Sequence, residues 1–510
     1  MTPPAGAPRP GLVRRCLMRS TLGTLAAVVV TVPFLTAWKV DVERRAVSAQ
    51  VPAPATPADA RPQRHEAAHA SAPIVLAYHD IQPEPTNDYT LTPKQLDDQL
   101  AALTKAGYRS LTTDEFIRYL ATGRTPSPRS VYLTFDDGTR GLWTYADQIL
   151  AKHKMTGSAY LITSRVGKHR PYYLSWAEID RMAGSGRWDF QNHSHDGHTR
   201  AAVDSSGRKG AVLANRLWLA EEKRLESEKE YRTRVETDLD KSLRAFADHD
   251  LPKPRVFAYP YSEAGAPTNL AGQTTSVLEQ LLHARFDTTL TNSSSRPLPA
   301  GPRAAAAGQV QRMEVMRATT TDALMKRIAE WTSRVPDEVP EPLRHPEQWR
   351  FPTSLSGTDV SALTGKGLEK GTYVQAAHLP MATADWHTYR VDATADRLKG
   401  PQTGVSIKVG HGSLHPSVVT VSASELRVTE QPVGAEQRVT VRKLTQTAKH
   451  RITVKVSPRS VQITVDGTSL TVRATDRPAP ARTNGGFSLA VRNAGEDTPW
   501  PRFTSLRVSP

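Results

Sequence analysis

The chain has 510 residues, 38% of them hydrophobic, so it can bury a large core and is too apolar for a wholly disordered protein. Lysine and arginine outnumber aspartate and glutamate by 66 to 51, a net charge of +15 that suits polyanionic surroundings without choosing among nucleic acid, anionic lipid and an acidic cell wall. The single cysteine, Cys16, excludes a disulfide framework and a zinc site built from several thiolates, so any metal must be bound by histidine, aspartate or glutamate.

Residues 1–45 are predicted to form a cytoplasmic stub and an export segment. Residues 1–20 contain four arginines and no acidic residue, and residues 21–38 contain no charge. A basic segment before an apolar one is typical of a secretory signal, and an apolar helix of this length spans about 27 Å, close to a bilayer core. The small-residue site at Val47-Ser48-Ala49 lies far beyond the apolar stretch. We therefore expect an uncleaved signal anchor with its arginines inside, and a cleaved signal peptide is the alternative.

The chain then passes from a linker into an α/β region. Residues 46–72 are rich in alanine and proline without an apolar period, which predicts a linker that spans a cell wall. From residue 73 to 335, short apolar strands such as Ile74–Tyr78 alternate with amphipathic helices, which predicts a parallel α/β layer or barrel. Residues 212–247 carry dense charges and predict a long, mostly solvated helix packed beside the barrel, with a coiled coil or partner helix as the alternative.

The C-terminal third has a different period. Four prolines between residues 336 and 346 predict a second linker over residues 336–350. Within residues 351–510 apolar side chains alternate with polar ones in several runs, as at Ile452, Val454 and Val456, and Asp466-Gly467 is a strong hairpin signal. This pattern predicts an all-β sandwich, similar to a concanavalin-like or laminin-G-like jelly roll.

Two clusters of polar residues suggest a hydrolytic metal site. The first is Thr134-Phe135-Asp136-Asp137-Gly138, which places two carboxylates at the end of a buried strand, where ligands bind in α/β proteins. The second is the segment from His193 to His198, which has three histidines within six residues. Two imidazoles and the Asp137 carboxylate would leave positions open for water and substrate. Taken alone, each cluster could also be a charged turn or a solvated loop.

A third cluster, Tyr78-His79-Asp80, follows the first predicted strand. A histidine there suits proton delivery near neutral pH, although a structural histidine is the simpler explanation of one cluster alone. Together the three clusters resemble the motifs of the polysaccharide deacetylases, the NodB-homology group (carbohydrate esterase family 4), and Phe257 to Tyr261 is similar to that family's third motif. The early position of His79 resembles the branch of exported poly-N-acetylglucosamine deacetylases. The resemblance covers residues 72–333 and implies an irregular (β/α) barrel.

The resemblance also implies a role for each matching residue. Asp137, His193 and His198 would bind a divalent metal, most often zinc and in some cases cobalt or nickel. Asp136 would be the general base, His79 the general acid, and the backbone N–H of Tyr261 an oxyanion donor. Tyr259 and Pro260 would lie beside the substrate. His195 is an alternative metal ligand.

Two departures from the family pattern leave part of the site unassigned. Ala258 and Tyr259 precede Pro260, where the family often has an arginine, and Ser262 follows Tyr261, where it often has a glycine. The residue that orients Asp136 is therefore not evident. Arg312 is the candidate for that role, and a surface arginine is the alternative. In the sandwich, Trp386, Tyr389 and Trp500 are candidates for stacking on sugar rings, but packing as core or edge residues is the favoured interpretation.

We therefore expect an extracytoplasmic, metal-dependent deacetylase of an N-acetylglucosamine polysaccharide, with chitin oligomers and peptidoglycan as other substrates of the class. The sandwich has 20 basic and 12 acidic residues, which would suit anionic wall polymers. The rival hypothesis is a catalytically silent protein that binds carbohydrate or cell wall. A nucleic-acid- or lipid-binding basic protein is a third, and no recognition helix or stacking motif supports a nucleic-acid role.

Overall fold

The computed structural model describes residues 72–169, 171–263, 269, 275–355, 357–366, 373–400, 403–432, 436–473, 484–493 and 499–510. Cys16, the predicted signal segment at 21–38 and the predicted linker as far as residue 71 lie outside these ranges. Within them, no helix combines the length and the apolar character needed to cross a membrane.

Eight parallel strands form the path of the N-terminal sheet. They are β1 (Ile74–Tyr78), β2 (Ser130–Phe135), β3 (Gly157–Leu161), β4 (Trp188–Asn192), β5 (Val256–Ala258), β6 (Thr288–Thr291), β7 (Gln309–Gln311) and β8 (Met313–Glu314). Their order in the sheet is β7-β6-β5-β4-β3-β2-β1-β8, and a short strand at Arg109–Ser110 also pairs with β2. The first three strands are buried throughout, as expected where helices cover a parallel sheet.

The two edges of this sheet meet at Arg312. Strands β7 and β8 lie at opposite edges, yet Arg312 is the only residue between them. Because neighbouring Cα atoms are about 3.8 Å apart, the sheet must curl until its edges come together. The sheet is therefore a nearly closed barrel, which confirms the predicted fold class.

Helices cover the outside of the barrel. They are α1 (Pro93–Lys105), α2 (Thr113–Thr122), α3 (Asp147–Lys152), α4 (Trp176–Gly184), α5 (Glu228–Ala247), α6 (Thr275–His283), α7 (Pro302–Ala307) and α8 (Thr321–Trp331). A π-helical turn, Leu142–Ala146, precedes α3. Reciprocal capping boxes start four of the helices, at Thr92, Thr112, Ser175 and Ser227.

The helix predicted over residues 212–247 is shorter than expected. Residues 212–227 contain a small hairpin, Trp218–Leu219 with Arg224–Leu225, and α5 begins only after the Ser227 cap. The cap and its partner Glu230 fix the first turn, because the Ser227 side chain accepts the N–H of Glu230. One face of α5 is buried against α6. The prediction of a mostly solvated helix over the whole range was therefore wrong.

The C-terminal domain consists of two antiparallel sheets that enclose one apolar core. The strands are β9 (Trp349–Arg350), β10 (Tyr373–His378), β11 (Tyr389–Asp396), β12 (Thr403–Val409), β13 (Ser417–Val421), β14 (Glu425–Glu430), β15 (Arg438–Lys443), β16 (His450–Ser457), β17 (Ser460–Val465), β18 (Thr468–Arg473), β19 (Phe487–Asn493) and β20 (Arg502–Ser509). The first sheet has the order β9-β10-β19-β12-β13-β14-β15 and the second the order β18-β17-β16-β11-β20. The turn at Asp466 and Gly467 joins β17 to β18, and both residues have positive φ angles.

The segment predicted as a second linker, residues 336–350, packs onto the sandwich. It contains three short 3-10 turns, and its last two residues form β9. Val339 and Trp349 are buried in the sandwich core, and Pro340 accepts a hydrogen bond from the N–H of Val508. The proline-rich composition here reflects repeated turns against a folded surface, so the linker prediction was wrong.

A buried arginine on the barrel joins the two domains. Arg303, at the start of α7, is 1% exposed and donates hydrogen bonds to the carbonyl oxygens of Pro297, His411 and Asn484. Its backbone N–H donates to the carboxylate of Asp385 over 2.7 Å. Three of these four partners belong to the sandwich, so buried hydrogen bonds of Arg303 connect the two domains.

Candidate active site and metal centre

Three residues predicted to bind metal meet at the C-terminal end of the barrel strands. Asp137 follows β2, His193 follows β4, and His198 lies in the loop beyond. Oδ1 of Asp137 lies 3.6 Å from Nε2 of His193 and 3.4 Å from Nε2 of His198. Ligand atoms on tetrahedral bonds of about 2.05 Å would be about 3.3 Å apart, so this spacing fits a divalent metal.

Hydrogen bonding leaves the facing atoms of this triad available. Nδ1 of His193 lies 2.8 Å from the carbonyl oxygen of Ala258, which can only accept, so the proton is on Nδ1 and the Nε2 lone pair faces Asp137. Burial, opposed by the Asp136 carboxylate, lowers the pKa of His193 to about 4, which keeps the ring neutral near pH 7. Oδ1 of Asp137 is buried, and no hydrogen-bond partner for it exists among the described residues. A bound cation would satisfy that oxygen.

Strained backbone holds these side chains in place. Asp137, Ser194 and Tyr261 have φ angles of 72°, 76° and 58°, in the left-handed region that non-glycine residues seldom adopt. Such conformations are costly and cluster at functional sites. Gly138 follows with a φ of 66°, and a Cβ there would lie 2.8 Å from the Leu161 side chain. The glycine after the two aspartates is therefore required by both conformation and space.

Asp136 has a separate partner. Its carboxylate is 2% exposed and accepts two parallel hydrogen bonds from the Arg312 guanidinium, at 2.7 and 2.6 Å. Arg312 is itself fully buried and is held by Asn292 and Thr134. Burial alone would raise the pKa of Asp136, but the Arg312 charge and its paired hydrogen bonds outweigh burial and hold that pKa well below its usual range. Asp136 is therefore an ionised, oriented carboxylate beside the triad.

His79 completes the polar cluster. It follows β1, is nearly buried, and places Nε2 4.0 Å from the Asp136 carboxylate. The ring of Tyr89 packs against it with 4.8 Å between centroids. The structure therefore brings His79, Asp136 and the triad to one end of the barrel.

Helix α5 anchors the loop that contains the two histidines of the triad. The carboxylate of Asp238 accepts the backbone N–H groups of His195 and Asp196, at 3.1 and 2.7 Å. Nδ1 of His195 lies 2.9 Å from the hydroxyl of Thr163 and outside the triad, which removes the support for His195 as a ligand. Sequence reasoning missed Asp238 because nothing in the charged segment 212–247 distinguishes one carboxylate from its neighbours.

The third motif is only partly open to the site. Tyr259 and Pro260 are buried, and Tyr259 packs in the cluster beneath the barrel end, so the prediction that they contact substrate was wrong. Tyr261 is exposed, with its ring 4.5 Å from that of His198 and 4.4 Å from the Arg200 guanidinium carbon. The backbone of Tyr261 therefore lies at the mouth of the metal site.

The aromatic residues predicted to stack on sugars in the sandwich are core residues. Trp386, Tyr389 and Trp500 are 7%, 1% and 7% exposed. Their polar atoms are satisfied internally: the two indole N–H groups donate to Arg334 and Ala362, and the Tyr389 hydroxyl donates to Gly485 and Gly486. These rings stabilise the sandwich as core residues, which is the interpretation favoured above, and they present no free face to a sugar ring.

Comparison with known proteins finds relatives of the barrel. Residues 123–276 match the model of the polysaccharide deacetylase family. The barrel region is 31% identical over 142 residues to the poly-beta-1,6-N-acetyl-D-glucosamine N-deacetylase of Staphylococcus epidermidis, an alignment covering 24% of this chain and 49% of the relative.

Other relatives align with the same region. The enzyme of the same name from Staphylococcus aureus is 27% identical over 177 residues, covering 34% of this chain and 54% of the relative. This chain therefore spans about half the length of these curated relatives. Among solved structures, IcaB from Ammonifex degensii has a TM-score of 0.40 at 24% identity, covering 51% of this chain and 97% of that chain.

Proposed function

We propose that the protein is an extracytoplasmic, metal-dependent hydrolase that removes N-acetyl groups from an N-acetylglucosamine polysaccharide. One observation carries the proposal. Three residues with the spacing of metal ligands lie beside His79 and beside the Asp136 carboxylate, which is paired with Arg312, and the barrel that contains them matches the polysaccharide deacetylase family. The names of the aligned relatives favour poly-N-acetylglucosamine over chitin oligomers or peptidoglycan. The basic and apolar segments before residue 39 support export.

Asp137, His193 and His198 would hold the metal, and zinc suits two imidazoles and one carboxylate, as would cobalt or nickel. When bound, a divalent metal polarises the acetyl carbonyl and makes water more acidic. Asp136 accepts the proton of the attacking water, because Arg312 keeps its carboxylate ionised and aimed at the site. The carboxylate still has lone pairs free for that proton, since Arg312 occupies one on each oxygen.

His79 delivers a proton to the departing nitrogen, which would otherwise be a poor leaving group. Its Nε2 lies 4.0 Å from Asp136, so the two groups that move protons face the same reacting amide. The backbone N–H of Tyr261 donates to the carbonyl oxygen as negative charge develops there. The products are acetate and a glucosamine unit, which is cationic at neutral pH.

The test is acetate release by the full chain from poly-N-acetylglucosamine, measured with zinc, with cobalt and with a chelator. We expect release that requires metal and falls at least a thousandfold in Asp136→Asn. Asp180→Asn, on the exposed face of α4, is the control and should behave as wild type. Chitin oligomers and peptidoglycan are run in parallel to rank the substrates. Polymer binding without acetate release from any of them, with metal shown to be bound, would support a silent wall-binding protein and contradict the proposal.

A further inference from the structure

The exposed aromatic side chains of the barrel gather at its catalytic end. Among the described residues, the large aromatic side chains left exposed are Tyr89, Tyr172, Tyr261 and Tyr373, at 48%, 40%, 39% and 51% exposure. Tyr373 belongs to the sandwich. The other three lie in loops that follow β1, β3 and β5, at the strand ends where the metal triad lies. Exposed rings scattered over a surface need no explanation, but rings gathered at one mouth indicate a binding site.

Tyr172 is held in place by the loop that contains Asp137. The carbonyl oxygen of Tyr172 accepts the N–H of Arg140 over 2.8 Å, and the N–H of Leu174 donates to Gly138 over 3.0 Å. The Tyr172 ring meets that of Tyr173 edge-on, with 4.8 Å between centroids and 86° between planes. These loop bonds therefore hold an exposed tyrosine next to the loop that contains Asp137.

Tyr89 and Tyr261 differ in how much of each ring is free. The Tyr89 ring packs against the His79 imidazole and remains nearly half exposed. The Tyr261 ring contacts both the Arg200 guanidinium and the His198 ring, and Arg200 is itself paired with Glu263. Tyr261 is therefore a fixed wall of the site, whereas Tyr89 and Tyr172 present ring surface to solvent.

We propose that Tyr89 and Tyr172 bind the sugar rings that neighbour the residue being deacetylated, so that the enzyme selects an oligosaccharide chain over a monosaccharide. The inference rests on the proposed function. A pyranose ring has apolar C–H faces and a polar rim, and tyrosine offers the matching combination of an apolar face and a hydroxyl. Neither ring lies in the metal triad or the Asp136–Arg312 pair, so their contribution is to affinity for a longer chain.

The experiment compares kcat/KM for acetate release from N-acetylglucosamine and from its β-1,6-linked dimer and pentamer. For the wild type we expect kcat/KM to rise at least tenfold from monomer to pentamer. Tyr172→Ala should raise the pentamer KM about tenfold, since truncation of one well-placed aromatic anchor has an effect of this size, and Tyr172→Phe should keep most of the ring's contribution. Tyr89→Ala should raise KM and also lower kcat, because its ring contacts His79.

Tyr373→Ala removes an equally exposed tyrosine from the sandwich and should leave the pentamer KM unchanged. Pentamer affinity is also measured by calorimetry in the Asp136→Asn background, where turnover does not interfere. Unchanged affinity and unchanged chain-length dependence in both Tyr172→Ala and Tyr89→Ala would overturn the proposal. If the wild type released no acetate from any substrate, the proposed function would fail, and the calorimetric comparison would still decide whether these rings bind the chain.

Discussion

Two adjacent carboxylates are a poor arrangement for a folded protein unless something separates them. In this barrel the positive φ of Asp137 turns its side chain toward the histidines, while Asp136, one residue earlier, accepts the Arg312 guanidinium. Asp137 therefore faces the two histidines, whereas Asp136 is paired with the Arg312 guanidinium. Each carboxylate is stabilised in its charged form by its own surroundings.

Arg312 offers a prediction about pH. Because Arg312 lowers the pKa of Asp136, replacing it with leucine should raise that pKa. Catalysis requires the ionised carboxylate, so kcat of Arg312→Leu should fall on the acidic side of the profile at a pH where the wild type, with Asp136 still ionised, keeps its activity. Arg312→Lys keeps the charge but loses the paired hydrogen bonds, so its loss on the acidic side should be smaller while kcat falls about a hundredfold. The measurement is kcat for acetate release between pH 4 and pH 9.

Arg317→Lys is the matched control, because Arg317 is an exposed arginine five residues along the same segment. Arg317→Lys should have the wild-type kcat and the wild-type dependence of kcat on acidic pH. An acidic limb in Arg312→Leu at the wild-type pH, in protein with an unchanged circular dichroism spectrum, would show that Asp136 is not the base that titrates.

At the scale of elements, α5 has a function that its charged composition conceals. Asp238 binds the backbone of the histidine loop from outside the barrel and fixes the segment between His193 and His198. Groups that orient metal ligands from the second layer commonly contribute 10–100-fold in metal affinity. We expect Asp238→Ala to weaken binding of cobalt or zinc by about that factor, measured by competition with a chromophoric chelator.

Asp240→Ala is the control on the same helix, since Asp240 is exposed and pairs with Arg285. The two variants are directly comparable because each removes one carboxylate from α5. Loss of metal affinity in Asp240→Ala equal to that in Asp238→Ala would assign the effect to helix stability and contradict the anchoring role.

The sequence predicts well those features that depend only on residues close together in the chain. The strand before Asp136, the histidine run and the Asp466-Gly467 turn are each encoded within a few residues, and the structure forms them where expected. Arg312 could be named only as a candidate, because its partner is 176 residues away. Burial of Trp386 and exposure of Tyr172 depend on which sheet or loop covers them, and an isolated aromatic residue in a sequence carries no such information.

At the scale of the whole molecule, Arg303 links the stability of the two domains. Its guanidinium donates hydrogen bonds to carbonyl oxygens of both domains. Burial lowers the pKa of Arg303 to about 10, so the side chain is still charged near neutral pH. Removing the side chain leaves these oxygens buried without donors, which typically costs about 1–3 kcal/mol for each group. We expect Arg303→Met to split a single thermal unfolding transition into two.

Differential scanning calorimetry of the full chain measures this directly. Arg118→Met, on the exposed face of α2, is the control and should keep the wild-type transition. A single transition in Arg303→Met at the wild-type temperature would show that the domains are coupled by other contacts or not coupled at all.

The closure of the barrel at Arg312 has a consequence for biogenesis. The residue that holds Asp136 ionised belongs to the last turn of the sheet, 176 residues downstream of its partner. A chain that has been synthesised only as far as β6 contains the residues proposed as base, acid and metal ligands, yet it lacks the guanidinium that pairs with Asp136. We therefore expect the proposed activity to appear only after the strand that closes the barrel has been added, so that acetate release would report completed folding of this domain.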